Sequence, residues 1–207
     1  DARTLTISDH GCGMTAEEME ENLGTIAHSG SLQFKQENTQ QDDIDIIGQF
    51  GVGFYAAFMV AAKVEVLSRA QGTDAANRWI SDGADGYTIE PATKEQVGTD
   101  ITLTLMPDSE GDQYSEFLEP YRIQELVKKY SDYIRYPIQM EMPRSRKKEG
   151  SDPDKPEWEE YMELTTLNSM IPLWRKSKSE LKDEDYNQFY KQKFFDYQDP
   201  IHHIHMY

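Results

Sequence analysis

A fold of mixed strands and helices is what this sequence predicts, on three observations. Short runs alternate apolar with polar residues, as half-buried strands do. One longer stretch instead repeats its apolar residues at helical spacing. Turn signals such as Asp82-Gly83 and Asp85-Gly86 separate the short runs.

In chain order, Leu5 and Ile7 against Thr4, Thr6 and Ser8 predict a strand over Thr4 to Ser8. Thr15, followed by Glu17 and Glu18, reads as the N-cap of a short helix reaching about Asn22, because its hydroxyl can accept an orphan N–H and the acids favour the positive helix end. From Gly24 to Gly53 the chain is rich in Gly, Ser, Gln and Asp, with short apolar islands at Phe34 and at Ile44 to Ile47. A stretch of about 30 residues with so little pattern inside a compact domain is usually a binding loop; composition alone also fits a disordered insertion. Phe54 to Val60, small and apolar, predicts a buried helix. Strands are expected at Lys63 to Ser68, Arg78 to Ser81, Tyr87 to Glu90 and Ile101 to Met106. Ile123, Leu126, Val127, Tyr130 and Ile134 predict a core-facing helix, and Pro137 to Met142 another strand. The charges and prolines of Arg144 to Glu157 predict a solvated linker. Beyond it come a strand-like Ile171-Pro172-Leu173-Trp174 and an acid-led helix from about Asp183 to Phe194. The last forty or so residues are too few for an independent core.

Composition narrows the function. Of 207 residues, 37% are hydrophobic and 11% aromatic, which fits a folded globular protein. No apolar run approaches the roughly 20 residues that span a bilayer. A formal charge of −17 argues against binding nucleic acid, which needs clustered cations. An acidic protein still binds an anion locally through backbone N–H groups. The lone Cys12 excludes an internal disulfide and suits a reducing cytoplasm. The chain opens on the polar, strand-like Asp1-Ala2-Arg3-Thr4 and shows no secretory signal; that it opens without Met leads us to expect a fragment. His202, His203 and His205 invite a metal reading, but no Cys or acid stands at ligand spacing, so no metal site is expected.

Two glycine-bearing segments carry the chemistry. Asp9-His10-Gly11-Cys12-Gly13-Met14 follows a strand and precedes a helix. A carboxylate at a strand end accepts a hydrogen bond from an exocyclic amine, and glycines after it let backbone approach a flat ligand. A tight strand-to-helix turn with no ligand explains the segment equally well. A calcium loop does not: Gly11 and Gly13 supply no side-chain oxygen, and Met14 stands where such a loop needs glycine. The second segment, Gly48-Gln49-Phe50-Gly51-Val52-Gly53-Phe54, places three glycines before a helix and forms a cradle of N–H groups for phosphate oxygens. It is neither a Walker loop nor the dinucleotide fingerprint. Together the two segments suggest an adenine site upstream, a phosphate site downstream and a connection between them.

Both segments resemble signature boxes of the ATPase superfamily that joins type II topoisomerases, sensor histidine kinases, mismatch-repair proteins and heat-shock-protein-90 chaperones (the GHKL, or Bergerat-type, fold). Asn22-Leu23-Gly24-Thr25-Ile26-Ala27-His28-Ser29-Gly30 and Ile47 to Tyr55 resemble the chaperone branch more closely. Tyr130 to Ile138 is similar to the end of that family's N-terminal domain. Leu167 to Trp174 and Phe194 to Tyr197 are similar to the start of its middle domain, and the short charged linker to its bacterial form.

The resemblance implies an α/β two-layer sandwich, a twisted mixed sheet with helices on one face. It implies a nucleotide-binding domain over 1–142, a charged linker with its flanking strand over 143–163, and the opening of a middle domain over 164–207. Asp9 would accept the adenine amino hydrogen bond, with Gly13 and Thr99 completing that contact partly through water. Met14, Leu23 and Phe54 would pack around base and sugar, and Asn22 would meet the ribose or α-phosphate. Gly48, Gln49, Phe50, Gly51, Val52 and Gly53 would wrap the β- and γ-phosphates, and Gly24 to Gly48 would form a lid. The implied cofactors are ATP/ADP and Mg2+; the implied partners are client proteins and, in the full-length protein, a second copy. The cell compartment implied is the cytoplasm. The family's catalytic Glu has no match here, so no catalytic residue is assigned and the chain alone is expected to be inactive in hydrolysis. His28 stands where the family usually has Lys.

Overall fold

The computed structural model describes residues 2–24, 52–148, 150–151, 156–194 and 196–206. They form two compact units, Asp1–Leu118 and Glu119–Tyr207.

The first unit is built on a five-stranded sheet. Its strands are β1 (Thr4–Asp9), β2 (Ala61–Arg69), β3 (Ala76–Ser81), β4 (Tyr87–Ala92) and β5 (Gly98–Leu105), arranged β1-β5-β2-β3-β4. The four ladders described are antiparallel. Side chains alternate between the two faces of each strand, so the register sorts residues into rows that cross the sheet. Leu5, Leu103, Val64 and Ser81 stand in one row, and Ile7, Ile101, Val66, Trp79 and Ile89 in the next. The other face carries Thr4, Thr6, Ser8, Thr102, Thr104, Glu65, Arg78 and Glu90, and so faces water.

Helix α1 (Ala16–Leu23) covers the apolar face. Its Met19 and Leu23 join Val64, Val66, Trp79, Leu103 and Leu105 in one buried cluster. The helix starts where Thr15 and Glu18 form a capping box: the Thr15 side chain accepts from the Glu18 N–H, and the Glu18 carboxylate accepts from the Thr15 N–H. Such a cap is worth about 1 kcal/mol.

The buried helix expected over Phe54 to Val60 is instead a 3₁₀ segment, Gly53–Met59, and none of it is fully buried. Met59 points outward at 74% exposure. No side chain caps the segment's start, where Val52 stands. Its rings provide the anchorage: Phe54 packs edge-on against Tyr55, Phe58 and Trp79.

In the second unit, helix α2 (Pro120–Tyr130) carries Ile123, Leu126 and Val127, and ends before Ile134. The strands β6 (Gln139–Lys147) and β7 (Trp158–Thr166) pair as an antiparallel hairpin. The expected linker is therefore partly strand. Its charges are not merely solvated but paired across the ladder, Arg144 with Glu163 at 3.1 Å and Arg146 with Glu159 at 2.6 Å. Composition registers a run of charges but not the opposite charges facing it. The segment expected as a strand at Ile171 to Trp174 is a turn followed by a 3₁₀ segment, Leu173–Arg175. Met170 adopts φ 60°, and its N–H donates to the Asp132 carbonyl. Helix α3 spans Asp183–Phe194, as expected. Its buried Tyr186 stacks on His203, and the Tyr186 hydroxyl lies 2.7 Å from His205 Nδ1.

Candidate nucleotide site

The apolar rows of the first unit give way at one end of the sheet to a polar row. Asp9 on β1 lies opposite Thr99 on β5, and Thr99 lies opposite Ser68 on β2. Residues directly opposite in an antiparallel pair share a face. The face that is core further along thus presents a carboxylate and two hydroxyls here. Asp9 is exposed, whereas Ser68 and Thr99 are buried.

The loop after Asp9 is fixed at successive points. The Gly11 N–H donates to Asp9 Oδ1 at 2.8 Å, an Asx turn that leaves the other carboxylate oxygen without this bond. The Cys12 carbonyl accepts from the Gln71 N–H at 2.8 Å. Gly13 has φ 68°, and a Cβ there would run into the Arg69 carbonyl. Only glycine combines that left-handed turn with so close an approach. The Met14 N–H donates to Ser68 Oγ at 2.8 Å. Gly98, at φ 124°, lies so near the end of β1 that a Cβ would strike the Asp9 carbonyl.

Asn22 and Leu23 lie on the last turn of α1. Leu23 is part of the buried core, and Asn22 is half-buried. Met14 and Phe54 pack, partly buried, against the same core. Val52 and Gly53 are exposed at the start of the 3₁₀ segment. His28, Gly48, Gln49, Phe50 and Gly51 lie outside the described residues, as does the stretch expected to form a lid beyond Gly24. Asp9, Gly13, Met14 and Thr99 are thus brought together, and Leu23 and Phe54 join them through the shared core.

Two residues that organise this end went unassigned in the sequence reading, Ser68 and Gly98. The signal for Ser68 was present: it has the strand parity of Val64 and Val66, which puts a hydroxyl on the apolar face. Beside the site, Asp100 is held in its charged form. Burial pushes its carboxyl up, but hydrogen bonds from Lys94 and Ser8 and the charges of Lys94 and His10 outweigh that and hold it below the usual carboxylate range.

Among the described residues, no group of three or more His, Cys, Asp or Glu is placed to hold a metal ion, and no helix is long and apolar enough to cross a membrane.

Comparison with known proteins identifies the family. The family model described as "Histidine kinase-, DNA gyrase B-, and HSP90-like ATPase" matches residues 1–124, and the chain belongs to that family of ATPases. A second model, "Hsp90 protein", matches residues 116–161 and 152–207, so the chaperone branch accounts for the remainder. Similar proteins include the chaperone protein HtpG of Bacillus subtilis, 58% identical over 206 residues, which covers 100% of this chain and 32% of that protein. HtpG of Halalkalibacterium halodurans is 57% identical over 99% of this chain, and HtpG of Clostridium perfringens 56% over 99%, each again with 32% of the relative covered. The chain spans about a third of the length of the curated relatives it matches. Membership of an ATPase family carries nucleotide binding with it, and the sheet-and-helix architecture is consistent with that family's α/β sandwich.

Proposed function

We propose that this chain binds the adenine nucleotides ATP and ADP, with Mg2+ accompanying the phosphates. We further propose that the full-length protein carrying it is an ATP-dependent chaperone acting on client proteins as a homodimer in the cytoplasm. The carrying observation is the polar row ending the apolar face, Asp9 opposite Thr99, beside a loop that Gly13 allows to pack directly on the Arg69 backbone. That donor set fits the base: an exposed acceptor-only carboxylate suits an amino group.

In this reading Asp9 takes the amino hydrogen bond, Gly13 and Thr99 support it, and Met14, Leu23 and Phe54 line the base and sugar. Asn22 meets the ribose or α-phosphate. Gly48 to Gly53 supply N–H groups to the phosphates, with His28 as a further contact, and the connection after Gly24 acts as the lid. The chain's part is binding and orientation; hydrolysis belongs to the full-length protein. The similarity to proteins named HtpG supports the chaperone reading, and the charge of −17 supports the exclusion of nucleic acid as a partner.

Calorimetry with ADP and GDP tests it. ADP is expected to bind, and GDP, which presents a keto oxygen to Asp9, to bind far more weakly. Equal affinity for the two, or none for ADP, overturns the reading.

A further inference from the structure

The geometry points to Ser68 as a positioning residue that makes the Thr99 hydroxyl an acceptor, and so sets the preference of the base site for a donating ring edge. The inference rests on the nucleotide reading above.

Ser68 is fully buried, and its Oγ lies within hydrogen-bond distance of three groups: the Met14 N–H at 2.8 Å, the Gly98 carbonyl at 3.1 Å and Thr99 Oγ1 at 2.9 Å. A hydroxyl has one hydrogen to give and two lone pairs to receive. The Met14 N–H takes one lone pair. The Gly98 carbonyl can only accept, so it takes the hydrogen. One lone pair remains, and Thr99 can meet it only by donating its own hydrogen. All three contacts are then satisfied at once.

The reverse assignment, Ser68 donating to Thr99, leaves the Ser68 oxygen and the Gly98 carbonyl oxygen facing each other at 3.1 Å with no hydrogen between them, which is costly in a buried site. With its hydrogen spent inward, Thr99 has only lone pairs to present on its outer side, on the face it shares with Asp9. The row therefore faces a ligand with acceptors alone. An amino group, or a water donating on its behalf, is accommodated; a keto oxygen meets a second acceptor.

Replacing Ser68 by Ala releases the Thr99 hydrogen, which becomes free to turn outward and donate. The variant should then discriminate less between a 6-amino and a 6-keto purine. A merely structural role for Ser68 lowers affinity for both alike; only hydroxyl polarity changes their ratio.

The test is calorimetry on the full chain with ADP and with IDP, which differ at that ring position. We expect the parent to prefer ADP, Ser68→Ala to reduce the ADP-to-IDP preference roughly three- to tenfold, the worth of one neutral hydrogen bond, and Ser68→Thr to keep it within about twofold by the same reasoning. Thr99→Val should narrow the ratio as Ser68→Ala does, and the double variant no further. Thermal unfolding of each variant establishes folding. Should Ser68→Ala fail to fold, Ser68→Cys, close in size and a poor hydrogen-bonding group, decides by the same ratio. A folded Ser68 variant with the parent's ratio overturns the role of Ser68 and leaves nucleotide binding standing. A parent that binds no ADP overturns the nucleotide reading itself.

Discussion

The hydroxyl of Tyr55 donates to the main-chain carbonyl of Leu23 at 3.0 Å, tying the 3₁₀ segment that follows the glycine-rich motif to the last turn of α1. The two residues stand on either side of the stretch expected to meet phosphate. The donor is dependable: burial, and then the charge of Tyr87, push the Tyr55 hydroxyl pKa up, so it keeps its proton through the neutral range. Tyr55→Phe deletes the bond and leaves a helix-end carbonyl without this partner. The expected cost is about 0.5–1.5 kcal/mol, read as a lower urea midpoint at unchanged slope. An unchanged midpoint would show that water replaces the hydroxyl at no cost.

Asp9→Asn tests the adenine contact at its strongest point. The amide can turn a donor toward the base amino group where the carboxylate had only acceptors. Loss of a charged hydrogen bond costs about 1.5–3 kcal/mol, so ADP affinity should fall on the order of 10- to 100-fold while the unfolding temperature stays near the parent's. Calorimetry on the pair of proteins measures it, and equal affinities would move the base away from β1.

Gly13→Ala combines two penalties. The left-handed backbone costs a side-chain-bearing residue roughly 1–2 kcal/mol, and the Cβ also meets the Arg69 carbonyl. The loop must shift, so stability and ADP binding should both fall. Gly72→Ala is the informative control: its φ is 81°, but a Cβ there meets nothing within 4 Å. It should show the backbone penalty alone. Thermal unfolding of the two variants separates strain from collision.

Asp100 gives the acid limb of stability a definite sign. Its folded pKa is depressed, because the bonds and charges of Lys94, Ser8 and His10 together outweigh the opposing effect of burial. A carboxyl that is more acidic when folded stabilises the fold above its unfolded pKa, near 3.9. That contribution is lost as pH falls through the folded value. Asp100→Asn should therefore lower stability at neutral pH and flatten its dependence on pH below about 4. Denaturation midpoints at neutral and acid pH would show it; parallel curves for parent and variant would assign the acid limb to other carboxylates.

The sheet was legible in the sequence because its strands carried local signals, alternation in some and flanking turn residues in others. Lys63 to Ser68 and Tyr87 to Glu90 needed only parity and a turn signal, and the observed strands extend them by one to three residues. Thr15 was legible for a similarly local reason, since a cap and its partner are three residues apart. What escaped was non-local. Nothing near Arg146 announces Glu159, and nothing in Phe54 to Val60 says that ring contacts with Trp79 would hold a 3₁₀ turn in place of an α-helix. The site divides the same way. Asp9 and Gly13 stand in one short motif, whereas Ser68 and Gly98 reach it from strands distant in the chain. Their importance depends on register, which composition does not encode.

The Asp9–Thr15 loop has one further consequence. Asp9, Gly11, Cys12, Met14 and Thr15 are each held, to Thr99, Asp9, Gln71, Ser68 and Glu18 in turn, and Gly13 lies hard against the Arg69 backbone. Surface loops ordinarily absorb insertions and deletions, but this one behaves as a ruler: adding or removing a residue at any point puts every later anchor out of step. Its length is as much a part of its chemistry as its residues are. A tag or a protease site belongs at Gly111, where a Cβ would meet nothing within 4 Å, and has no tolerable position between Asp9 and Thr15.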